Sequence, residues 1–269
     1  LCNVLESPDC HGLGAGATKS GKTQGLYAQI AALISMYSPN GVKLAIYDGK
    51  NSLILPESLK PWLYCDIALA GQGGDYIQAL EEERTNRLKA RTGYRDITDF
   101  NADSPDEKYC YIVALMDEYS TDREFFEGDS GDGGLAKELG KKARSEGIHM
   151  FAYDQRATNK NISNEVKANL GARFIYRMVD EKCSDYIEIN GAEKLLGKGD
   201  LIVKWEGREY RCQMPNCSPK DLELIANKRV EELGLSIDES APKRFDTEPG
   251  EEFDPYEHLL NLAVQNKLE

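Results

Sequence analysis

Unbroken apolar runs alternate with longer stretches of helical spacing along most of this chain. Tyr109 to Met116 (YCYIVALM) is one such run, and Ile148 to Tyr153 is a second. Runs without polar alternation predict strands covered on both faces, as in a parallel sheet. Val42 to Tyr47 (VKLAIY) and Ala172 to Met178 (ARFIYRM) predict two more strands, the former ending in the turn Asp48-Gly49-Lys50. Helices are predicted from Gln24 to Met36, from Tyr76 to Lys89, from Leu135 to Gly147 and from Ser218 to about Leu233. Ile77, Leu80 and Leu88 form the apolar side of the second of these, and Val166 to Leu170 closes a further helix. Strands alternating with helices predict a doubly wound α/β fold, its mostly parallel sheet covered by helices on both faces. Ligands in such sheets lie beyond the carboxyl ends of the strands, which is where the polar clusters fall.

The pattern fails twice. Glu127 to Gly134 (EGDSGDGG) predicts a flexible acidic loop. Past Leu235, Pro242, Pro249, Gly250 and Pro255 punctuate an acidic stretch with one short helical run, Tyr256 to Lys267. The expected organisation is an α/β domain over residues 1–235 and an acidic tail over 236–269. No internal repeat is present.

Composition narrows the picture. With 269 residues, 41% hydrophobic, there is material for one large α/β core, and no apolar run approaches a membrane span. Position 1 is Leu and the first strand begins almost at once, so a piece of a longer protein is expected, with a membrane anchor possible in the remainder. Seven scattered cysteines without a C-x-x-C pair, and three histidines, predict reduced, mostly buried thiols in a soluble cytosolic chain and no zinc site. The net charge of −13 argues against a generally sticky nucleic-acid binder but leaves room for a local basic patch. Two patches qualify: Arg84, Arg87, Lys89, Arg91 and Arg95, and Lys137, Lys141, Lys142 and Arg144. Each is interleaved with glutamates (Glu81 to Glu83, Glu138, Glu146) that could pair with it instead.

The candidate chemistry begins at Gly16-Ala17-Thr18-Lys19-Ser20-Gly21-Lys22-Thr23, which fits G-x-x-x-x-G-K-[ST] between a predicted strand and a helix. The glycines let successive N–H groups face one anionic centre, and the helix start adds its dipole. Lys22 would reach the β/γ-phosphates and Thr23 would hold Mg²⁺, so ATP with Mg²⁺ is the expected ligand. Asp117 and Glu118 follow the longest apolar strand. The aspartate suits the metal shell, and the glutamate suits orienting and deprotonating a water. Gln155 ends the next strand, where an amide can sense the γ-phosphate. Asp48 and Lys50 are expected to pair with each other, the alternative being that they face a neighbouring subunit. Arg144, Arg156, Arg173 and Arg177 are candidates for a finger reaching a neighbouring subunit, a device worth about 10³–10⁵ in rate. Arg173 and Arg177, four apart on a predicted strand, should share a face, and Arg173 is the first choice.

Several segments together resemble the FtsK/SpoIIIE DNA-translocase motors, from about His11 to Val230. They are GATKSGKT (16–23), VKLAIYDGK (42–50), EERTNRLKARTGYRDITDFN (82–101), YIVALMDEYS (111–120), KKARSEGIHMFAYDQRA (141–157), VKANLGARFIYRMVD (166–180) and GAEKLLGKGDLIV (191–203). The resemblance implies a RecA-like P-loop NTPase that hydrolyses ATP in a ring of six and drives double-stranded DNA through its channel. It implies phosphate and Mg²⁺ binding by Lys22 and Thr23, metal binding and water activation by Asp117 and Glu118, and a trans role for Arg173 or Arg177. It also implies that Ala192 to Gly199 lies near the nucleotide or the subunit boundary, and that the full-length protein works at the cytoplasmic face of a membrane. Gly49 and Ala157 stand where the family usually has proline. Gly12 and Gly14 replace bulky residues, which predicts loose packing of the first strand. The acidic loop at 127–134, if it lined the pore, would repel phosphates. The short architecture fits a conjugative or mobile-element coupling protein. The alternative is the motor of a specialised, type VII-like protein-secretion machine, which the acidic charge suits equally well.

Overall fold

Residues 7–128 and 133–237 are described by the computed structural model, and eight strands among them form one sheet. The strands are β1 (Gly12–Ala15), β2 (Val42–Asp48), β3 (Ala68–Leu69), β4 (Tyr111–Asp117), β5 (Ile148–Asp154), β6 (Ala172–Tyr176), β7 (Asp200–Trp205) and β8 (Arg208–Gln213). The helices are α1 (Lys22–Met36), α2 (Gly73–Ala90), α3 (Ile97–Asp103), α4 (Arg123–Glu127), α5 (Gly134–Lys142), α6 (Asn164–Lys167), α7 (Glu181–Tyr186) and α8 (Pro219–Leu233). In space the strands run β3-β2-β4-β5-β1-β6-β7-β8, parallel from β3 to β6 and antiparallel across β7 and β8. The mostly parallel α/β prediction is met. No helix among the described residues is long and apolar enough to cross a membrane.

Both faces of the sheet are covered, which is why its strands lack alternation. Ile112, Ala114 and Met116 of β4 join a cluster with Tyr76, Leu80, Phe126 and Leu139 from α2, α4 and α5. Val113 and Leu115 face the other way, onto Leu26, Ile30 and Ile34 of α1 and Leu222 and Ala226 of α8. Helix α8 is closed at both ends by local chemistry. Ser218 and Asp221 form a reciprocal capping box, Pro219 takes the first helical position, and Gly234 ends the helix in the left-handed region.

Three details differ from the sequence-based expectation. The β7–β8 hairpin was not predicted, because every residue of β8 is exposed and the apolar pattern is silent there. Its signal lay in the turn: Glu206 and Gly207, at φ 47° and 74°, form a two-residue connection with both residues left-handed. In α2, Ile77 and Leu80 are buried as expected, but Leu88 is 42% exposed and Arg87 is 1% exposed in its place. The Arg87 guanidinium donates to the Cys110 and Glu146 carbonyls at 2.7 and 3.0 Å and to Glu83 at 2.8 Å, so its charge is satisfied inside the fold.

The third concerns β1, where loose packing was expected and close packing is found. A Cβ on Gly14 would stand 2.0 Å from the Tyr153 ring, and one on Gly12 would stand 2.5 Å from Phe151. The aromatic residues of β5 fill the space that β1 leaves. Tyr153 is fully buried and its hydroxyl donates to Gln29 at 2.5 Å, so the ring has no easy way out. Gly14→Ala is therefore expected to destabilise the domain by about 1–3 kcal/mol, as overpacking does. A urea midpoint matching the wild type would show that the ring yields.

The centre of the predicted loop, residues 129–132, lies outside the described residues, as does the predicted tail from residue 238 onward. Glu127, at the near end of that loop, is buried. It accepts from the Tyr119 hydroxyl and the Ser163 N–H, both at 3.1 Å, and pairs with Arg123.

Candidate active site

The loop 16–23 leaves the carboxyl end of β1 between β5 and β6, and α1 starts at its Lys22. Backbone bonds hold it on both sides. Gly16 N–H donates to Asp154 O at 3.2 Å, and Ala17 N–H donates to Arg177 O at 2.8 Å. Gly21 sits at φ 107°, a conformation open to glycine, and a Cβ there would meet Gly199 N at 2.4 Å. Gly199 N–H in turn donates to Ser20 O at 2.8 Å, so the 198–199 segment packs directly on the loop.

Beside the loop lies a cavity of about 600 Å³, lined among others by Lys22, Thr23, Lys50, Asp117, Gln155 and Lys198. Of the loop residues, Ala17, Thr18, Lys19, Gly21, Lys22 and Thr23 line it, while Gly16 and Ser20 are buried behind. The Ser20 hydroxyl is fully buried without a hydrogen-bond partner.

Asp117, the last residue of β4, and Glu118, just past it, converge on this loop. The Lys22 ammonium contacts Asp117 Oδ1 directly and Glu118 Oε2 at 3.2 Å. All three side chains are largely buried. Burial lowers the pKa of Lys22, but the two carboxylates outweigh it and hold the ammonium above its ordinary value. Glu118 adopts φ 57°, ψ 52°, a left-handed conformation that costs a non-glycine residue about 1 kcal/mol or more. Gln155 accepts from the Thr18 hydroxyl at 2.9 Å, tying the end of β5 to the loop.

Other candidates are placed differently from one another. Asp48 and Lys50 do not pair through their side chains: Lys50 reaches Glu118 Oε2 at 2.8 Å, while the Asp48 carboxylate accepts backbone N–H groups of the following turn. Arg173 and Arg177 do not share an outward face, because β6 ends at Tyr176. Arg173 is 8% exposed and donates to the Ala172 and Lys167 carbonyls, both at 3.2 Å. Burial lowers its pKa. Arg177 is exposed and its carbonyl holds the loop. Arg144 is exposed, and Arg156 pairs with Asp180 at 3.6 Å. Met214, Pro215 and Asn216, just past β8, also line the cavity, and no motif marks them.

A model of the FtsK/SpoIIIE family matches residues 1–104. The chain is 31% identical over 227 residues to the DNA translocase SftA of Bacillus subtilis (strain 168), covering 81% of this chain and 24% of that one. It is 31% identical over 245 residues to the DNA translocase FtsK of Streptococcus pneumoniae, covering 86% of this chain and 32% of that one.

Residues 1–104 match the FtsK/SpoIIIE family, and the likeness to these two translocases runs over more than four fifths of the chain.

The chain spans between a quarter and a third of those two relatives. Among solved structures it resembles the pCW3 conjugation coupling protein TcpA, in a monomer form with ATPgS, at a TM-score of 0.70 and 21% identity, covering 86% of this chain and 66% of that one. It also resembles EssC (ATPases 2 and 3) from Geobacillus thermodenitrificans, at a TM-score of 0.71 and 17% identity, covering 91% of this chain and 47% of that one. Both likenesses show the fold alone, a RecA-like P-loop architecture.

Proposed function

We propose that the chain is the motor domain of an ATP-driven translocase that moves double-stranded DNA. One observation carries the ATP-driven part: the phosphate-loop lysine meets two acids from a distant strand end at the edge of a nucleotide-sized cavity. The DNA part is supported by the likeness to two DNA translocases. The donor set fits a metal–triphosphate ligand. The cavity holds a charged ammonium, a threonine at the start of a helix and a buried carboxylate, and an unpartnered hydroxyl lies behind the loop.

Bound ATP with Mg²⁺ supplies a terminal phosphoryl group open to attack by water. Lys22 would leave the acids for the β/γ-phosphates, and the N–H groups of Gly21 to Thr23, at the start of α1, would cradle them. Thr23 and Asp117 would hold Mg²⁺. Glu118 orients the water and takes its proton. Gln155, already on Thr18, reports the terminal phosphate to β5. Arg177 is the better-placed arginine for a neighbouring subunit in a hexameric ring, since Arg173 is held inward by carbonyls. In the full-length protein the motor would work at the cytoplasmic face of a membrane, with the remainder carrying the anchor.

Of the two basic patches, that on α2 is largely engaged within the fold. Arg84 pairs with Glu81, Arg87 with Glu83 and Arg91 with Glu146. Lys141 and Arg144, both exposed at the end of α5, are the stronger candidates for contact with backbone phosphates. Linear duplex DNA is expected to raise ATP turnover severalfold at low salt, with the stimulation fading as salt rises. Turnover indifferent to DNA but raised by a secreted protein's C-terminal segment would replace this function with that of a secretion motor.

A further inference from the structure

Lys50 belongs to neither the phosphate loop nor the acid pair, yet it is built against both. β2 and β4 run in register with Asp48 beside Asp117, so the chain after Asp48 travels alongside Glu118. Gly49 N–H donates to Asp117 O at 3.0 Å, and a Cβ on Gly49 would stand 2.8 Å from Glu118 O. The Asp48 carboxylate then accepts the N–H groups of Lys50, Ser52 and Leu53 at 3.2, 2.7 and 2.7 Å. The turn is thus fixed by its own hydrogen bonds. From it the Lys50 ammonium reaches Glu118 Oε2 at 2.8 Å, closer than the 3.2 Å of Lys22.

Two ammonium groups here balance two adjacent carboxylates. When Lys22 moves to the phosphates and Asp117 to the metal, Lys50 is the cation that Glu118 keeps. We propose that Lys50 is the positioning residue for Glu118, holding its carboxylate beside Asp117 and the phosphate loop while the phosphates occupy Lys22. The proposal rests on Glu118 acting as the base. Without Lys50, the carboxylate loses its 2.8 Å partner beside Asp117 and the phosphates, and it turns away from the water it must address. Binding survives and chemistry suffers.

Lys50→Met, which keeps the stem and removes the charge, is expected to lower kcat roughly 10- to 100-fold with the KM for ATP changed less than about twofold. Lys50→Arg is expected to restore turnover to within about fivefold of wild type. In a Glu118→Gln background, Lys50→Met should change the residual rate by less than about twofold, because the two residues act as a unit. A raised KM at unchanged kcat, or an equal loss in both backgrounds, would overturn the proposal. A crystal structure with a non-hydrolysable ATP analogue and Mg²⁺ reads it without turnover: Lys50 Nζ is expected within about 3.5 Å of Glu118. Lys50 found on the terminal phosphate instead would also overturn it. A chain whose basal turnover ignored DNA would sink the translocase function and leave this proposal standing.

Discussion

Glu118→Gln is expected to leave ATP bound and to slow its hydrolysis at least about a hundredfold. The amide keeps the shape of the carboxylate and can still accept from Lys22 and Lys50, so those contacts should stay in place. What it lacks is a basic oxygen for the proton of the attacking water. Asp117 remains for the metal and Lys22 for the phosphates, so affinity for a fluorescent ATP analogue should change only a few-fold. Single-turnover hydrolysis separates binding from chemistry. Equal rates for the variant and wild type would place the base elsewhere and remove the role assigned to β4. The left-handed backbone at Glu118 makes the position unusual in another way, because that conformation is held only by the structure around it.

A second large effect is expected from acid. His11 and His149 are buried at the opposite end of the sheet from the cavity, with ring centroids 6.0 Å apart and Tyr111 stacked on His149 at 5.5 Å. Burial, with Arg144 nearby, pushes the His11 pKa down to about 4. Burial, with His11 and two arginines nearby, pushes His149 down to about 3. His11 Nδ1 accepts the Met150 N–H at 2.9 Å, which only a neutral ring can do. Because both folded values lie below the unfolded one, stability is complete above about pH 6.5 and is lost progressively as pH falls toward 4 and 3. At pH 5 the loss is about 2 kcal/mol per ring, or about 4 together. For a domain of this size that is a fall in Tm of about 10 °C. His149→Phe keeps an aromatic ring against Tyr111 and is expected to remove roughly half of the pH dependence. A variant whose Tm fell with acid as steeply as wild type would assign the sensitivity to carboxylates instead.

The strands of the parallel core were legible because burial on both faces leaves unbroken apolar runs, as in β4. The loop was legible because its chemistry is tied to one spacing. What escaped depended on contacts across the sheet. The target of Lys50 follows from the β2–β4 register, which no local pattern encodes. Arg87 reads as a surface charge until the carbonyls of Cys110 and Glu146 are found beside it. The two glycines of β1 suggest slack only if the facing Phe151 and Tyr153 are overlooked. Arg173 and Arg177 share a strand-like spacing, but the end of β6 falls between them.

Helix α8 lies along α1, with Leu222 and Ala226 buried against it and the Arg229 guanidinium donating to Ile34 O at 3.0 Å. The first residue of α1 is the lysine whose ammonium meets the acid pair. Tension applied to the chain beyond Leu233 would therefore load the helix whose first residue is Lys22. A pull on that segment is expected to be felt first at the α1–α8 seam, where Arg229 holds Ile34 O.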